Sequence, residues 1–494
     1  MKHNRSALWL VLFFIISILI RLPHLNRPLS KHHEFNTAVI LLGLESWKQG
    51  GGAKNFNFIP LLNYQSPADK LLEKAPYSDE EGNYIYLSFG PGWYVIPYVV
   101  FNTFNISFTP LALQILNLFF LLISVFLLYR FIYYLCIKAG YEPSLPSLGG
   151  CFVFLFNPSI LWFLGNGYVC TGIVLPFLIT ILHYGCRMLY EPGQIKSKSL
   201  LVFLLAGIGS IYIDWYGVSF LAIISIASLL KIQQNNKYWS LFWISSLATV
   251  LGILIILVQF ISYAGWEKVY DYWTLRYINR GPINPNINMG QNILRIVQNL
   301  ITGFLPVMIP LIIGFIIVKR KFVENTVAQP MRMAIFMSLI ACLAHWVIFL
   351  NWTSAHDFAV IPFSIFLALL SGWIITRMIH TKYVLWMAIF MFLATISQYY
   401  YINYPGQHTS KGLPYRSYKD TGELIHKLAK ENERIFCNDS YMIYQFYAKR
   451  SFKIFGTYED ALQWARKYQV QKWVWIKICE TPTRIFIEEV KHFE

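Results

Sequence analysis

The sequence predicts an all-α polytopic membrane protein of about eleven transmembrane helices, with juxtamembrane helices in its first outer loop and a small C-terminal α/β extracytoplasmic domain. Three observations predict it. Of 494 residues, 56% are hydrophobic and 13% charged, and the mean hydropathy is +0.45, too apolar for a soluble chain of this length. Apolar runs able to cross about 30 Å of hydrocarbon recur at 8–21, 109–135, 147–164, 168–187, 199–213, 215–231, 238–262, 297–318, 332–350, 358–376 and 382–399. Every second connection between them is basic: Arg130/Lys138, Arg187/Lys196/Lys198, Lys231/Lys237, Lys319/Arg320/Lys321 and Arg377/Lys382.

By the positive-inside rule those basic connections are cytoplasmic, which puts the N-terminus inside and the C-terminus outside. The first run has Lys2 and Arg5 before it and no small-residue cleavage site after it, so it reads as a retained anchor. The expected setting is an integral, multi-pass bacterial inner membrane. The loops account for most of the formal net charge of +16, so the basic balance is a topology signal and a nucleic-acid partner is not expected. Cys136, Cys151, Cys170, Cys186 and Cys342 lie in or beside apolar runs, where cysteine behaves as a small hydrophobe. Cys437 and Cys479 lie in the polar C-terminal part, either as a disulfide or as two core thiols.

Two domains follow: 1–399 in the membrane, with an outer loop at 22–107, and 400–494 outside. The outer loop is too long for a mere connection. It opens with a surface-lying helix, with Ser30 as N-cap and Phe35, Ala38, Val39, Leu42 and Trp47 on one apolar side, stopped by Gly50-Gly51-Gly52. It closes with a second interfacial helix after Phe89-Gly90-Pro91. A second outer loop, 264–295, carries Trp266, Tyr270, Tyr272, Trp273, Arg276 and Arg280. Beyond 400 the pattern predicts helix 419–430, strand 434–437, helix 441–448, strand 452–455, helix 459–468 and strand 473–478, a parallel α/β module.

The candidate chemistry faces outward. The segment 21–34, just past the first run, holds Arg21, His24, Arg27, Lys31, His32, His33 and Glu34. Charge at a membrane surface is costly enough to have a partner or a task. Glu34 is a candidate general base for an incoming hydroxyl; the alternative is an acid favoured by the macrodipole of a first helical turn. His32 and His33 beside Glu34 invite a metal, but adjacent histidines on a helix diverge by about 100°, whereas helical metal pairs sit at i, i+4. Arg21, Arg27, Arg276 and Arg280 are candidate clamps for a lipid phosphate, through the bidentate guanidinium fork, or snorkelling side chains. Asp214 and the pair His356-Asp357, each at the outer start of a run, are sugar contacts or helix caps. Trp93, Tyr94, Trp215, Trp266 and Trp352 form either a membrane belt or sugar-stacking faces.

The chain resembles the GT-C superfamily of membrane glycosyltransferases, the group of protein O-mannosyltransferases and lipid A aminoarabinose transferases. The resemblance is carried by Arg21-Leu22-Pro23 after the first run followed by the acid Glu34, by Phe89-Gly90-Pro91, and by Ala355-His356-Asp357-Phe358 heading a late run. It departs from the family where Asp-Glu is replaced by His33-Glu34, and where His-Pro-Pro is replaced by Phe89-Gly90-Pro91. The resemblance implies inverting transfer of a sugar from a polyprenyl-phosphate donor to a lipid, glycan or protein acceptor at the outer face. Glu34 with His33 would be catalytic. Arg21, Arg27, Arg276 and Arg280 would hold the phosphate, and Asp214, His356 and Asp357 would position donor or acceptor. No cofactor and no metal ligand is expected. The rival, a flippase or transporter of lipid-linked saccharide, should show ionisable or Gly/Pro-broken mid-membrane positions, and the runs here are almost all apolar there.

Overall fold

The computed structural model describes residues 2–30, 33–191, 196–282, 288–324, 329–378, 382–402, 416–439, 441–481 and 484–493. The helices are α1 (Lys2–Arg21), α2 (Phe35–Gln49), α3 (Gly92–Thr103), α4 (Pro110–Lys138), α5 (Ser144–Leu155), α6 (Pro158–Phe163), α7 (Cys170–Ile173), α8 (Leu175–Tyr190), α9 (Ser197–Ile213), α10 (Tyr216–Leu229), α11 (Lys237–Ala264), α12 (Trp266–Arg280), α13 (Met289–Glu324), α14 (Gln329–Ile348), α15 (Leu350–Ala355), α16 (Phe363–Met378) and α17 (Tyr383–Ile402). Every apolar run read from the sequence falls on helix. Among the described residues eight helices are long and apolar enough to cross a membrane, and α5, α9 and α10 are shorter apolar helices. Local sequence sets the breaks. Thr109 caps α4 by accepting the Ala112 N–H at 3.2 Å, with Pro110 at the first helical position. Asn157 ends the run at 147–164 and caps α6 through the Ile160 N–H at 2.9 Å.

The C-terminal part matches the sequence reading except at its edge. Helix α18 (Arg416–Leu428), strand β1 (Arg434–Cys437), helix α19 (Met442–Ala448), strand β2 (Phe452–Ile454), helix α20 (Tyr458–Lys467) and strand β3 (Trp473–Glu480) follow in order. A further strand, β4 (Ile485–Phe493), pairs antiparallel with β3, so the sheet is mixed, ordered β2-β1-β3-β4. The sequence reading missed β4 because its burial alternates weakly and charges interrupt it. Cys437 pairs in register with Ile476 on β3, three residues before Cys479, and both thiols are free.

Helix α2 corrects the expectation of a surface-lying helix. It starts at Phe35 and is buried on nearly every side, because α19 and the C-terminal apolar cluster cover the face that water or lipid was expected to take. Ser30 is not its N-cap: its hydroxyl goes to the Glu34 carboxylate instead. The stop at Gly50 to Gly52 holds, with Gly51 and Gly52 at φ +84° and +118°, where side chains are strained. The Phe89-Gly90-Pro91 turn is needed for contact: a Cβ on Gly90 would meet the Tyr212 carbonyl oxygen at 2.2 Å.

The C-terminal sheet is bound to the first connection by buried polar pairs. Arg450 Nε lies 3.1 Å from Asp69 Oδ1, which also accepts the Ser451 N–H at 2.9 Å. Arg434 donates to the Pro67 and Lys70 carbonyls, and Lys453 pairs with Glu73. Tyr447 accepts the Leu29 N–H at 2.9 Å. Burial raises the Asp69 carboxyl above its ordinary value while Arg450 opposes the shift. Removing one partner strands the other in a buried seam. Asp69→Ala should therefore cost about 3–5 kcal/mol, seen as a lower melting temperature in detergent, and Asp69→Ala with Arg450→Met should recover most of it. Equal melting of the single and double variants would show that the pair does not secure the seam.

Candidate active site

The polar groups collect at the end of the bundle where α1 finishes. Segment 21–34 is anchored first. Arg21 is fully buried, donating to the Ser17 carbonyl at 2.7 Å and to the Ile160 carbonyl at 2.9 Å. The guanidinium closes the C-terminal turn of α1 against α6. Arg27 is likewise engaged within the protein. It forms a two-pronged pair with Glu34, at 3.0 Å and 2.6 Å, and lies over the Trp162 ring.

Glu34 is 1% exposed, and its carboxylate also accepts the Ser30 N–H at 2.5 Å and the Ser30 hydroxyl at 2.9 Å. Three of these four hydrogen bonds fall on Oε2 and one, from Arg27, on Oε1. His33 is differently placed. Its backbone is left-handed, φ +51°, an uncommon conformation for a side-chain-bearing residue that points to function when the surroundings hold it. The ring turns away from the Glu34 pair. Its Nε2 lies 3.1 Å from Asp357 Oδ1, and its ring centroid is 5.6 Å from that of His356. His32 lies outside the described residues, and among those described no group of three His, Cys, Asp or Glu is arranged to hold a metal ion.

His356 and Asp357 lead a short 3-10 turn without a side-chain cap bond, which corrects the cap reading, and the Asp357 carboxylate meets His33. Burial, with help from His33 and Arg280, pulls the His356 imidazole down to about 3, which favours its neutral form. Its ring stacks on Phe358 and meets Trp352, which in turn meets Phe89 at 5.5 Å between centroids.

Phe89 leads to α12. The sequence reading took 264–280 for loop, but Val269, Tyr272, Trp273, Arg276 and Arg280 recur at helical spacing, and that signal was available. Arg280 lies 4.9 Å over the Phe89 ring, and its charge acts on Tyr86, Cys170, Asp214 and His356. Arg276, one turn back, donates to the Tyr272 hydroxyl at 3.1 Å and lies 5.0 Å over that ring. Aromatic residues hold the segment 87–89 against α12 and α10. Trp273 donates to the Leu87 carbonyl at 2.8 Å, Trp215 to the Ser88 carbonyl at 2.9 Å, and the Ser88 and Tyr272 hydroxyls are 3.1 Å apart. The indole N–H of Trp215 is thus a clamp on the segment 87–89, where belt or stacking was expected.

Asp214 completes the cluster between α9 and α10. It caps α10 through the Tyr216 N–H at 3.0 Å, as the cap reading expected, and is wholly buried. Burial raises its carboxyl to about 6, against the opposing influence of the Cys170 thiol, the Tyr216 N–H and Arg280. Between its ordinary 3.8 and about 6 the folded state holds more protons than the unfolded state, so this group's contribution to stability is complete below 3.8 and is lost as pH rises through 6. His356 acts oppositely between about 3 and 6.5. Asp214→Asn should therefore melt higher than wild type above pH 6, by about 3 kcal/mol at most, and the gain should vanish near pH 4. A variant equally stabilised or destabilised at both pH values would contradict the burial cost.

The structure thus gathers His33, His356 and Asp357, with Arg280 acting on His356 and Asp214 and Arg276 one turn back on α12, while Arg27 and Glu34 pair with each other and Arg21 bonds the Ser17 and Ile160 carbonyls. No family model matches the sequence, and no curated protein is detectably similar to it. Solved structures are similar. ArnT from Cupriavidus metallidurans bound to undecaprenyl phosphate superposes with a TM-score of 0.56 at 13% identity, over 95% of this chain and 93% of that one. The archaeal oligosaccharyltransferase AglB from Archaeoglobus fulgidus, in complex with an inhibitory peptide and a dolichol-phosphate, gives 0.59 at 12% identity, over 96% of this chain and 70% of that one. At such identity the likeness is one of fold.

Proposed function

We propose that this chain, which has the fold of the GT-C membrane glycosyltransferases, transfers a sugar from a polyprenyl-phosphate donor to an acceptor hydroxyl at the extracytoplasmic membrane face. The observation that carries the reading is the single wall on which Arg280 and Arg276 stand beside the His33–Asp357 pair and Asp214. A donor with its tail in the bilayer presents its phosphate at this level, and ArnT and AglB were solved with lipids of that class.

The reaction is a single inverting displacement. The acceptor oxygen attacks the anomeric carbon as the bond from that carbon to the phosphate oxygen breaks. The acceptor proton passes to the His33 ring, which Asp357 orients through Nε2. The departing polyprenyl phosphate keeps the bonding electron pair, and its growing charge is met by Arg280, with Arg276 behind it. Neutral His356 and Asp214 orient sugar hydroxyls. Glu34 holds the segment that presents His33.

Purified protein in nanodiscs, given undecaprenyl- or dolichyl-phosphate hexoses and pentoses, should release polyprenyl phosphate only when acceptor is present. Consumption of a nucleotide sugar, with lipid-linked sugars untouched, would reject the reading. Sidedness is separable: an alkaline phosphatase fused after residue 494 should be active and a green fluorescent fusion dark, and the reverse pattern would move the site to the cytoplasm.

A further inference from the structure

Between the first connection and the C-terminal sheet lies a cavity of about 370 Å³, walled on one side by Lys70, Glu73, Tyr77 and Tyr84 and on the other by Gln445 and Trp464. That volume is in the range of small-ligand sites. The wall mixes aromatic rings with amide, hydroxyl and carboxylate edges, the combination that suits a polyhydroxylated ligand with alternating apolar and polar faces. Its charges already have protein partners: Glu73 with Lys453, Asp69 with Arg450, and Lys70 with Gln65 at 2.6 Å and with Asn83. A strongly charged ligand therefore gains little there. One acceptor is unused among the described residues: Glu73 Oε2 is buried and receives no hydrogen bond.

Tyr84 ties this cavity to the catalytic wall. Its ring lies 5.0 Å from that of Tyr77 inside the cavity, while Tyr272, Arg276 and Tyr86 act on its phenol. Tyr86, two residues on, adjoins Arg280. We propose that the cavity at this seam is a saccharide-binding subsite that holds the sugar portion of the acceptor next to the donor site. The acceptor role rests on the glycosyl-transfer reading above; the saccharide binding does not.

The test is retention of detergent-solubilised full-length protein on a defined array of immobilised microbial glycans. Wild type and Arg280→Ala should retain the same glycans. Tyr77→Ala, which removes a wall, and Ala68→Phe, which fills the cavity from its lining, should each weaken retention at least tenfold while melting near wild type. In turnover assays Tyr77→Ala should raise the acceptor KM about as much, with donor KM and kcat unchanged. Should Ala68→Phe fail to fold, Tyr77→Ala alone decides. Retention of no glycan, retention unaltered by the wall variants, or binding of peptides in place of glycans would overturn the subsite. Normal turnover of lipid-linked sugar without glycan retention defeats this inference alone, and glycan retention without any such turnover defeats only the transferase reading.

Discussion

His33→Asn should lower turnover by about 10²–10⁴, the range for losing a positioned general base, with donor KM little changed. Asparagine is chosen because it tolerates the left-handed backbone that His33 adopts at φ +51°, so the segment keeps its path and only the proton acceptor is lost. Asp357→Asn should also reduce turnover, since the carboxylate 3.1 Å from Nε2 orients the ring and supports its positive charge as it takes the proton. Glu34→Gln separates the two catalytic candidates read from the sequence. As a framework residue Glu34 balances Arg27, so its neutral variant should melt lower while the folded fraction turns over near the wild-type rate. A stable Glu34→Gln protein without activity, beside an active His33→Asn, would exchange the two roles.

Arg280→Ala should lower kcat/KM for the donor by about 10²–10³, or about 2.7–4 kcal/mol of transition-state stabilisation. A departing phosphate gains charge as its bond to carbon breaks, so a cation waiting there acts more strongly in the transition state than on the intact donor. Arg280→Lys should restore only part, because an ammonium lacks the planar fork that meets two phosphate oxygens. Arg276→Ala should lose less, its guanidinium being already engaged with the Tyr272 hydroxyl and ring. Inhibition by free polyprenyl phosphate should weaken in parallel with the rate in Arg280→Ala. A wild-type kcat/KM in that variant would return Arg280 to a structural role on Phe89.

The parts of the site that were legible are those written in residue type at an element boundary. Asp214, His356-Asp357 and His33 stand where apolar runs stop, and charge beside such a run is conspicuous in any sequence. Arg280 and Arg276 were legible as cations among aromatics, but their helix was not recognised, because Trp, Tyr, Asn and Arg break the usual apolar stripe and only the i, i+4 spacing remains. Arg21, Arg27 and Glu34 were as conspicuous, as phosphate clamps and a base, but their partners were not. Nothing local says that Arg21 will find the Ile160 carbonyl 139 residues away, or that Ser30 will turn its hydroxyl to Glu34.

Composition, run length and the alternation of basic loops determined that this is a polytopic membrane protein, and roughly where each helix lies, because those properties depend on how each segment partitions between water and hydrocarbon. The strand and helix order of the C-terminal part came from the same kind of local periodicity. Which partner each of these polar residues takes was decided only by the tertiary structure. A buried charge takes whichever partner the packing brings within about 3 Å, and α1, α2, α6, α12 and the turn at 356–360 meet through contacts far apart in the chain. The burial of α2 beneath α19 and the seam cavity beside Tyr84 arise the same way, from surfaces that exist only once two distant segments are pressed together.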